Sequence, residues 1–498
     1  VIRRSLPLIL ACAVAAAPAA GRAADADVPL TSAYLSGAAS ETSSNAYDAW
    51  WDSFHDPGLS RVVRRAVAQN LDLQQARARV LQSRAAARAA GAALLPQARL
   101  NASATDERLS LRSPIGEIGR QLPGFARAYD DYAVGAAASW EIDLFGGLRK
   151  ARAAARADAQ AAARDADAVR LSVAAEAADA YLQVRAFQGR LAVAQRQLQV
   201  QQDLVELLSR RVAEGVSPDR ELRQARAALD GVAASIPPLT AGRDLQLNRL
   251  DLLMGAQAGT YRGELATPAP LPALPALGAD APADLLRRRP DILAAEQRLV
   301  AADARIGAAV ADYYPRISLS ALFGFESLAA GKLFTGAANQ HAVGAGLGWR
   351  LFDFGRVDAE VAQARGAKAE ALSAYRAAVY HATAEVEDAF TQLGEQQLRA
   401  EALSRQIDQL TAARRQVQQA YEGGVADLIE VRDADRELLA ASDQLVQARS
   451  AAARAAVSGF RALGGGWATE PAPASDRLVP RPSARLGPAS SLKEHSNG

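Results

Sequence analysis

Val134-Gly135-Ala136-Ala137-Ala138-Ser139-Trp140-Glu141-Ile142-Asp143-Leu144-Phe145-Gly146 decides the fold, because the chain writes it a second time. The second copy is Val343-Gly344-Ala345-Gly346-Leu347-Gly348-Trp349-Arg350-Leu351-Phe352-Asp353-Phe354-Gly355. In both copies apolar side chains alternate with small or polar ones up to a tryptophan, which is the period of a strand. A helical pattern of equal length follows each: Gly215 lies 75 positions after Trp140, and Gly424 lies 75 after Trp349. Upstream, Asp72 precedes Pro96 by 24 positions and Asp291 precedes Pro315 by 24. Only the loop between proline and tryptophan differs, 44 positions against 34. A period of about 210 residues is too long for a solenoid. The chain is a duplicated half, each half being helix, strand hairpin and very long helix.

Ala98, Leu100, Ala102 and Ala104 alternate with Arg99, Asn101, Ser103 and Thr105. In the second half Ile317, Leu319, Ala321, Phe323 and Phe325 alternate with Ser318, Ser320, Leu322, Gly324 and Glu326. Four strands of about 9–12 residues are expected, the length a tilted strand needs to cross a bilayer. An ordinary half-buried sheet alternates in the same way. Trp140 and Trp349 tip the balance, since both stand where strand meets helix, the level of a membrane-interface aromatic girdle.

Residues 148–214 contain no proline and one internal glycine, Gly189, so a single helix about 100 Å long is expected. Val184, Leu191, Leu198, Val205 and Val212 recur every seventh residue, with Phe187, Ala194 and Leu208 between them. That is the seam of a left-handed coiled coil. Ser217-Pro218 reads as the cap and first position of a returning helix, which Pro237-Pro238 interrupts before it restarts to Met254. Residues 59–95 read as one amphipathic helix ended by Pro96.

With 57 basic and 55 acidic side chains, the net charge of +2 gives no case for nucleic-acid binding. Residues 1–24 read as a signal peptide: Arg3 and Arg4, an apolar stretch from Leu6 to Ala17, then small residues suited to cleavage. No later segment offers 18 uncharged apolar residues, which excludes a helical membrane protein and leaves a soluble or β-barrel envelope protein. Cys12 is the only cysteine, so no intrachain disulfide can form. Ile9-Leu10-Ala11-Cys12 resembles a lipobox, in which Cys12 becomes the lipidated, palmitate-bearing first residue of a lipoprotein. The other reading is a signal-peptide cysteine that is simply cut away.

Catalytic chemistry is not legible. The four histidines are scattered at 55, 341, 381 and 495, and His381 with Glu385 is one pair without further ligands. Gly464-Gly465-Gly466 lacks the lysine and serine of a phosphate loop. Neither a G-x-S-x-G elbow nor a cysteine nucleophile is present. The expectation is no enzyme, no metal and no cofactor.

Several motifs stand together: Trp50-Trp51-x-x-Phe54-x-Asp56-Pro57-x-Leu59, and Asn70-x-Asp72-Leu73-x-x-Ala76-x-Ala78-Arg79-Val80. The longest is Leu285-Leu286-x-Arg288-Arg289-Pro290-Asp291-Ile292-x-x-Ala295-Glu296, followed by Ile306-Gly307-Ala308 and Pro315-x-Ile317-Ser318-Leu319. Ala462-Leu463-Gly464-Gly465-Gly466-Trp467 closes the set. Over residues 46–467 the chain resembles the outer-membrane factor family, the TolC-like efflux channels, and within it the NodT-type lipoprotein branch.

The resemblance implies a mainly α fold with a small β part. Long coiled-coil helices would form an α-helical barrel in the periplasm, and three chains would pool four strands each into one twelve-stranded transmembrane β-barrel. Lipid forbids open strand edges, so four strands cannot stand alone there. The organisation expected is signal peptide 1–24, a belt segment 25–58, and repeat one at 59–255 with its hairpin at 97–144. A Pro-rich belt linker at 256–284, repeat two at 285–467 with its hairpin at 316–352, and a disordered tail at 468–498 complete it. The function implied is a passive outer-membrane exit duct for small molecules. Its partners would be a periplasmic adaptor, an inner-membrane proton-driven transporter, outer-membrane lipid and two further copies of the chain. A protein-secretion channel and a non-conducting coiled-coil envelope protein are the rival readings.

The resemblance also names sites. Gly215, Val216 and Ser217, with Gly424, Val425 and Ala426, would be adaptor-docking tips. Glu430 and Asp433, three apart on one helical face, would form a periplasmic gate. Tyr421 would hold that gate shut, Glu221 would stand in the gate-bonding position of repeat one, and Arg432 would lock or neutralise the acids.

Overall fold

A computed structural model describes residues 49–277 and 288–465. The expected signal peptide with Cys12, residues 25–48, part of the linker and the tail at 468–498 lie outside the described residues. The chain runs α1 (Pro57–Gln69), α2 (Leu71–Ala92), β1 (Gln97–Arg108), α3 (Pro114–Gly119), β2 (Ala128–Ile142), α4 (Gly147–Ala213) and α5 (Asp219–Leu253). It continues with α6 (Arg262–Leu265), α7 (Pro290–Ala311), β3 (Arg316–Ser327), β4 (Asn339–Gly348), α8 (Arg356–Glu422) and α9 (Leu428–Ala462). The duplication holds element by element: α2 and α7 have 22 residues each, β1 and β3 have 12, α4 and α8 have 67, and α5 and α9 have 35.

Local chemistry sets the boundaries. Asp56 caps α1 by accepting from the N–H groups of Gly58 and Leu59, with Pro57 at the first position. The single helix expected over 59–95 is two, because Asn70 has ψ 131° and breaks the run. Its N–H closes α1 on Ala66, and its side chain accepts from Leu73 N to open α2. Continuous apolar spacing across the break concealed it.

Pro237 and Pro238 do not interrupt α5, which runs through them. The carbonyls they leave without an amide partner belong to exposed Ala233 and Ala234, where water can serve them. Ser217 is not the cap either. The helix begins at Asp219 without a side-chain cap bond, and the Ser217 N–H donates to Arg211 O, closing the preceding helix instead.

The four strands form one antiparallel sheet in the order β1-β2-β3-β4. Its register gathers the apolar sets onto one face: Ala98, Ala138, Ala321 and Val343 share a row, as do Ile142, Ile317 and Leu347. The β2 strand has 15 residues and starts at Ala128, earlier than the alternation foretold. Residues 128–133 pair with the polar end of β1, and the Tyr129 hydroxyl donates to Glu107 across that pair. The β4 strand stops at Gly348, so Trp349 lies just beyond it.

The core sits at the waist of the long helices. Trp50 stacks on Phe460 at 5.3 Å between ring centroids, with Phe54 against both. Around them α4 buries Ala174, Ala177, Ala178 and Ala180, whose small side chains let neighbouring helices approach closely. Buried Arg289 fixes the start of α7. It binds Asp291 with two nitrogens at 3.0 and 2.7 Å, and reaches Glu385 on α8 and the Ala462 carbonyl on α9. The Glu385 of the suspected histidine pair therefore serves an ion pair. Among the described residues no cluster of three potential metal ligands occurs.

Candidate channel and gate

Two ends of the helical shaft carry the features that matter, and both are built twice. At the sheet end, Asp143 accepts from the N–H groups of Leu148 and Arg149, and Asp353 from those of Gly355 and Val357. Each carboxylate faces the positive end of a 67-residue helix. The Val357 N–H above all holds the Asp353 carboxyl below the usual carboxylate range. Trp140 and Trp349 donate their indole N–H groups to Leu94 O and Tyr313 O, each 3.0 Å, tying strand end to helix end in both repeats.

The sheet's two faces differ in chemistry. One carries the apolar rows. The other carries Gln97, Arg99, Asn101, Ser139, Ser320 and Gly344, interspersed with Ala137, Leu322 and Ala342, around a shallow concavity. Gly135 and Gly324 sit opposite each other on that face, so close that a Cβ on Gly324 would lie 2.6 Å from Val134 O. A sheet curved toward a small, polar face suits the wall of an aqueous lumen.

At the far end, Gly215 and Gly424 have φ 73° and 74°. The N–H of Val216 bonds Arg211 O and that of Val425 bonds Ala420 O, so each long helix ends in the same Schellman turn. Val216 and Val425 project into solvent, the latter 86% exposed, while Ser217 and Ala426 are half-buried. Behind the turns lies a small apolar cluster of Leu208, Leu222, Ala225, Tyr421, Leu428 and Val431.

The structure brings some of the expected gate residues together and leaves others apart. Tyr421 is buried in that cluster, and its hydroxyl accepts from Arg211 Nη1 at 3.1 Å, joining α8 to α4. Glu430 is exposed on the first turn of α9, and Glu221 is half-buried on the first turn of α5. Asp433 pairs with Arg436 at 3.1 Å, one turn away, rather than with Arg432. Sequence reading missed Arg211, and it missed the ion pair between Arg414 Nε and Asp435 Oδ1 at 3.0 Å. The signal was there: Leu428, Val431, Asp435 and Leu438 follow one helical stripe in which an acid replaces an apolar residue.

A polar network fixes the waist. The Tyr181 hydroxyl donates to Asp56 and accepts from Arg185 Nη2, and burial pushes its pKa up to about 12. Arg185 and Gln188 reach on to the carbonyls of Thr267 and Leu265, strapping the described part of the linker to α4.

A long paired-helix shaft that ends in a four-stranded sheet with one apolar face and one small or polar face is the plan of a channel-forming envelope protein. The profile of the family described as "Outer membrane efflux protein" matches residues 62–256 and 281–465, one stretch per repeat. The chain belongs to the outer membrane efflux protein family. The pyoverdine export outer membrane protein OpmQ of Pseudomonas putida is 32% identical, over 93% of this chain and 97% of that protein. Nodulation protein T of Rhizobium leguminosarum bv. viciae is 28% identical, over 89% of each chain. The solved outer-membrane channel OprN superposes with a TM-score of 0.78 at 33% identity, over 88% of this chain and 95% of that one. The family consists of efflux channels rather than enzymes, and this chain is an outer-membrane efflux channel whose shaft extends into the periplasm.

Proposed function

We propose that three copies of this chain close a twelve-stranded barrel and conduct small molecules passively across the outer membrane, performing no chemistry of their own. One observation carries the reading. The sheet's apolar rows are aligned across all four strands, yet β1 and β4 are open edges. Lipid cannot satisfy those edge amides, so copies of the same sheet must. Work from a periplasmic adaptor and a proton-driven inner-membrane transporter would move the cargo. The paired valine-bearing turns at Gly215 and Gly424 suit adaptor docking, and the acids Glu430 and Asp433 suit a cation-attracting constriction. The kinship with a pyoverdine exporter supports small-molecule cargo. Light scattering on detergent-extracted protein tests the assembly: a trimer is expected, and a stable monomer with a folded sheet would sink it. Adaptor crosslinking tests the turns, where Val216→Glu or Val425→Glu should abolish it. Normal crosslinking in both would remove the turns from docking.

A further inference from the structure

Between the waist and the turns, α4, α8 and α9 of one chain enclose a recess of about 300 Å3. Among the described residues three guanidiniums line it, those of Arg190, Arg399 and Arg454, and no carboxylate does. Phe187, Ala186 and Ala451 form its apolar wall. The ion pairs that hold two of the arginines are built reciprocally. Asp443 on α9 accepts from Arg190 Nε on α4 at 2.6 Å and from Gln447 Nε2 at 2.6 Å. Asp179 on α4 accepts from Arg454 Nε on α9 and from Gln183 Nε2 at 2.6 Å. Each carboxylate is thus fixed by a guanidinium of the other helix and an amide of its own.

Both paired arginines engage their carboxylates through Nε and Nη2. The Nη1 group of each keeps its two N–H donors unspent. Arg399, on α8, is exposed and makes no ion pair or hydrogen bond among the described residues. One free guanidinium and two partly spent ones, with the carboxylates already taken up, leave the recess short of acceptors. Planar carboxylates are the groups that fill a guanidinium fork best.

Helix geometry gives the face on which the recess opens. On α4, Arg185 and Gln188 reach the linker, and Gln183, Phe187 and Arg190 stand about half a turn away from them. On α9, Leu277 of the linker lies so near Gly459 that a Cβ there would meet it at 2.5 Å, and Ser450 stands half a turn away. The recess therefore opens opposite the linker. We propose that it is a binding station for small di- and tricarboxylate anions on the inner wall of the channel, one in each chain. Arg399 is its leading contact, and the unspent Nη1 groups of Arg190 and Arg454 complete the cradle. The inner position rests on the trimeric reading above, in which the linker circles the outside; the recess itself is built from one chain alone.

Titration calorimetry on full-length, detergent-extracted protein tests the recess, with citrate as the probe. Citrate should bind, and its affinity should fall about 10-fold or more in Arg399→Gln, where a charge-assisted contact is lost from an exposed position that folding does not need. Arg405→Gln removes an exposed arginine on another face of the same helix and should leave the affinity unchanged. Citrate that does not bind, or that binds Arg399→Gln as well as the wild type, overturns the recess. An equal loss in Arg405→Gln overturns it too, since general charge attraction would then account for the binding. Single-channel recording tests the position: citrate should lower the conductance of the wild type and leave that of Arg399→Gln unchanged. Binding to the trimer without any effect on conductance overturns the inner-wall position and leaves the recess standing. Monomeric protein that still binds citrate overturns the trimeric reading instead.

Discussion

Replacing Arg414 with alanine takes away the partner of a carboxylate that is almost fully buried. The Asp435 side chain is 4% exposed, and its second oxygen, Oδ2, has no hydrogen-bond partner among the described residues. Stranding a buried charge costs about 3–5 kcal/mol. Arg414 is itself 32% exposed, so solvent already screens the pair and the lower end, about 3 kcal/mol, is the expectation. The loss is local to the ends of α8 and α9, where the two helices pair. Amide hydrogen exchange over residues 425–440 reads it directly, and about 3 kcal/mol corresponds to exchange roughly 100-fold faster. Asp435→Ala should cost less, because Arg414 can turn to water, and the double variant should resemble Asp435→Ala. Unchanged exchange in Arg414→Ala, or acceleration no larger than in Asp435→Ala, refutes the argument.

Leu347→Arg on the apolar face should cost about 2–4 kcal/mol if it lies near the bilayer midplane. Ser320→Arg on the hollowed face should cost much less, as measured by refolding into vesicles. Gly424→Ala must hold φ 74° with a Cβ and should lose about 1–2 kcal/mol. Gly231→Ala, inside α5 with open space around it, should gain up to about 1 kcal/mol; thermal melts compare the two. Burial pushes the Asp291 carboxyl up, but the hydrogen bonds and charge of Arg289 outweigh it, so its pKa lies below the ordinary value. Stabilisation from that pair is present above the unfolded value, near pH 4, and is lost as pH falls through the folded one. Denaturation between pH 5 and about 2 should therefore lose this slope in Arg289→Met.

The sequence made the duplication legible because its landmarks are glycines, prolines and tryptophans whose spacing survives in equal element lengths. It made the apolar half of the sheet legible through strict alternation. The polar half was hidden, since Glu107, Asp130 and Asp131 alternate with nothing apolar and only backbone pairing places them in strands. Glu430 and Asp433 are proposed as gate residues from the family resemblance, whereas Arg211–Tyr421 and Arg414–Asp435 are contacts that only the pairing of helices brings together. Pro237-Pro238 misled because propensity counts the lost amides without knowing that water reaches the freed carbonyls.

Single-channel recording of the purified trimer in planar bilayers tests the central claim most directly. Discrete conductance steps with a preference for cations are expected. That preference should fall in the Glu430→Ala/Asp433→Ala variant, because like charges around a narrow pore attract cations. A verified trimer with a folded sheet that gives no steps, in either form, would contradict the reading of this chain as a conduit.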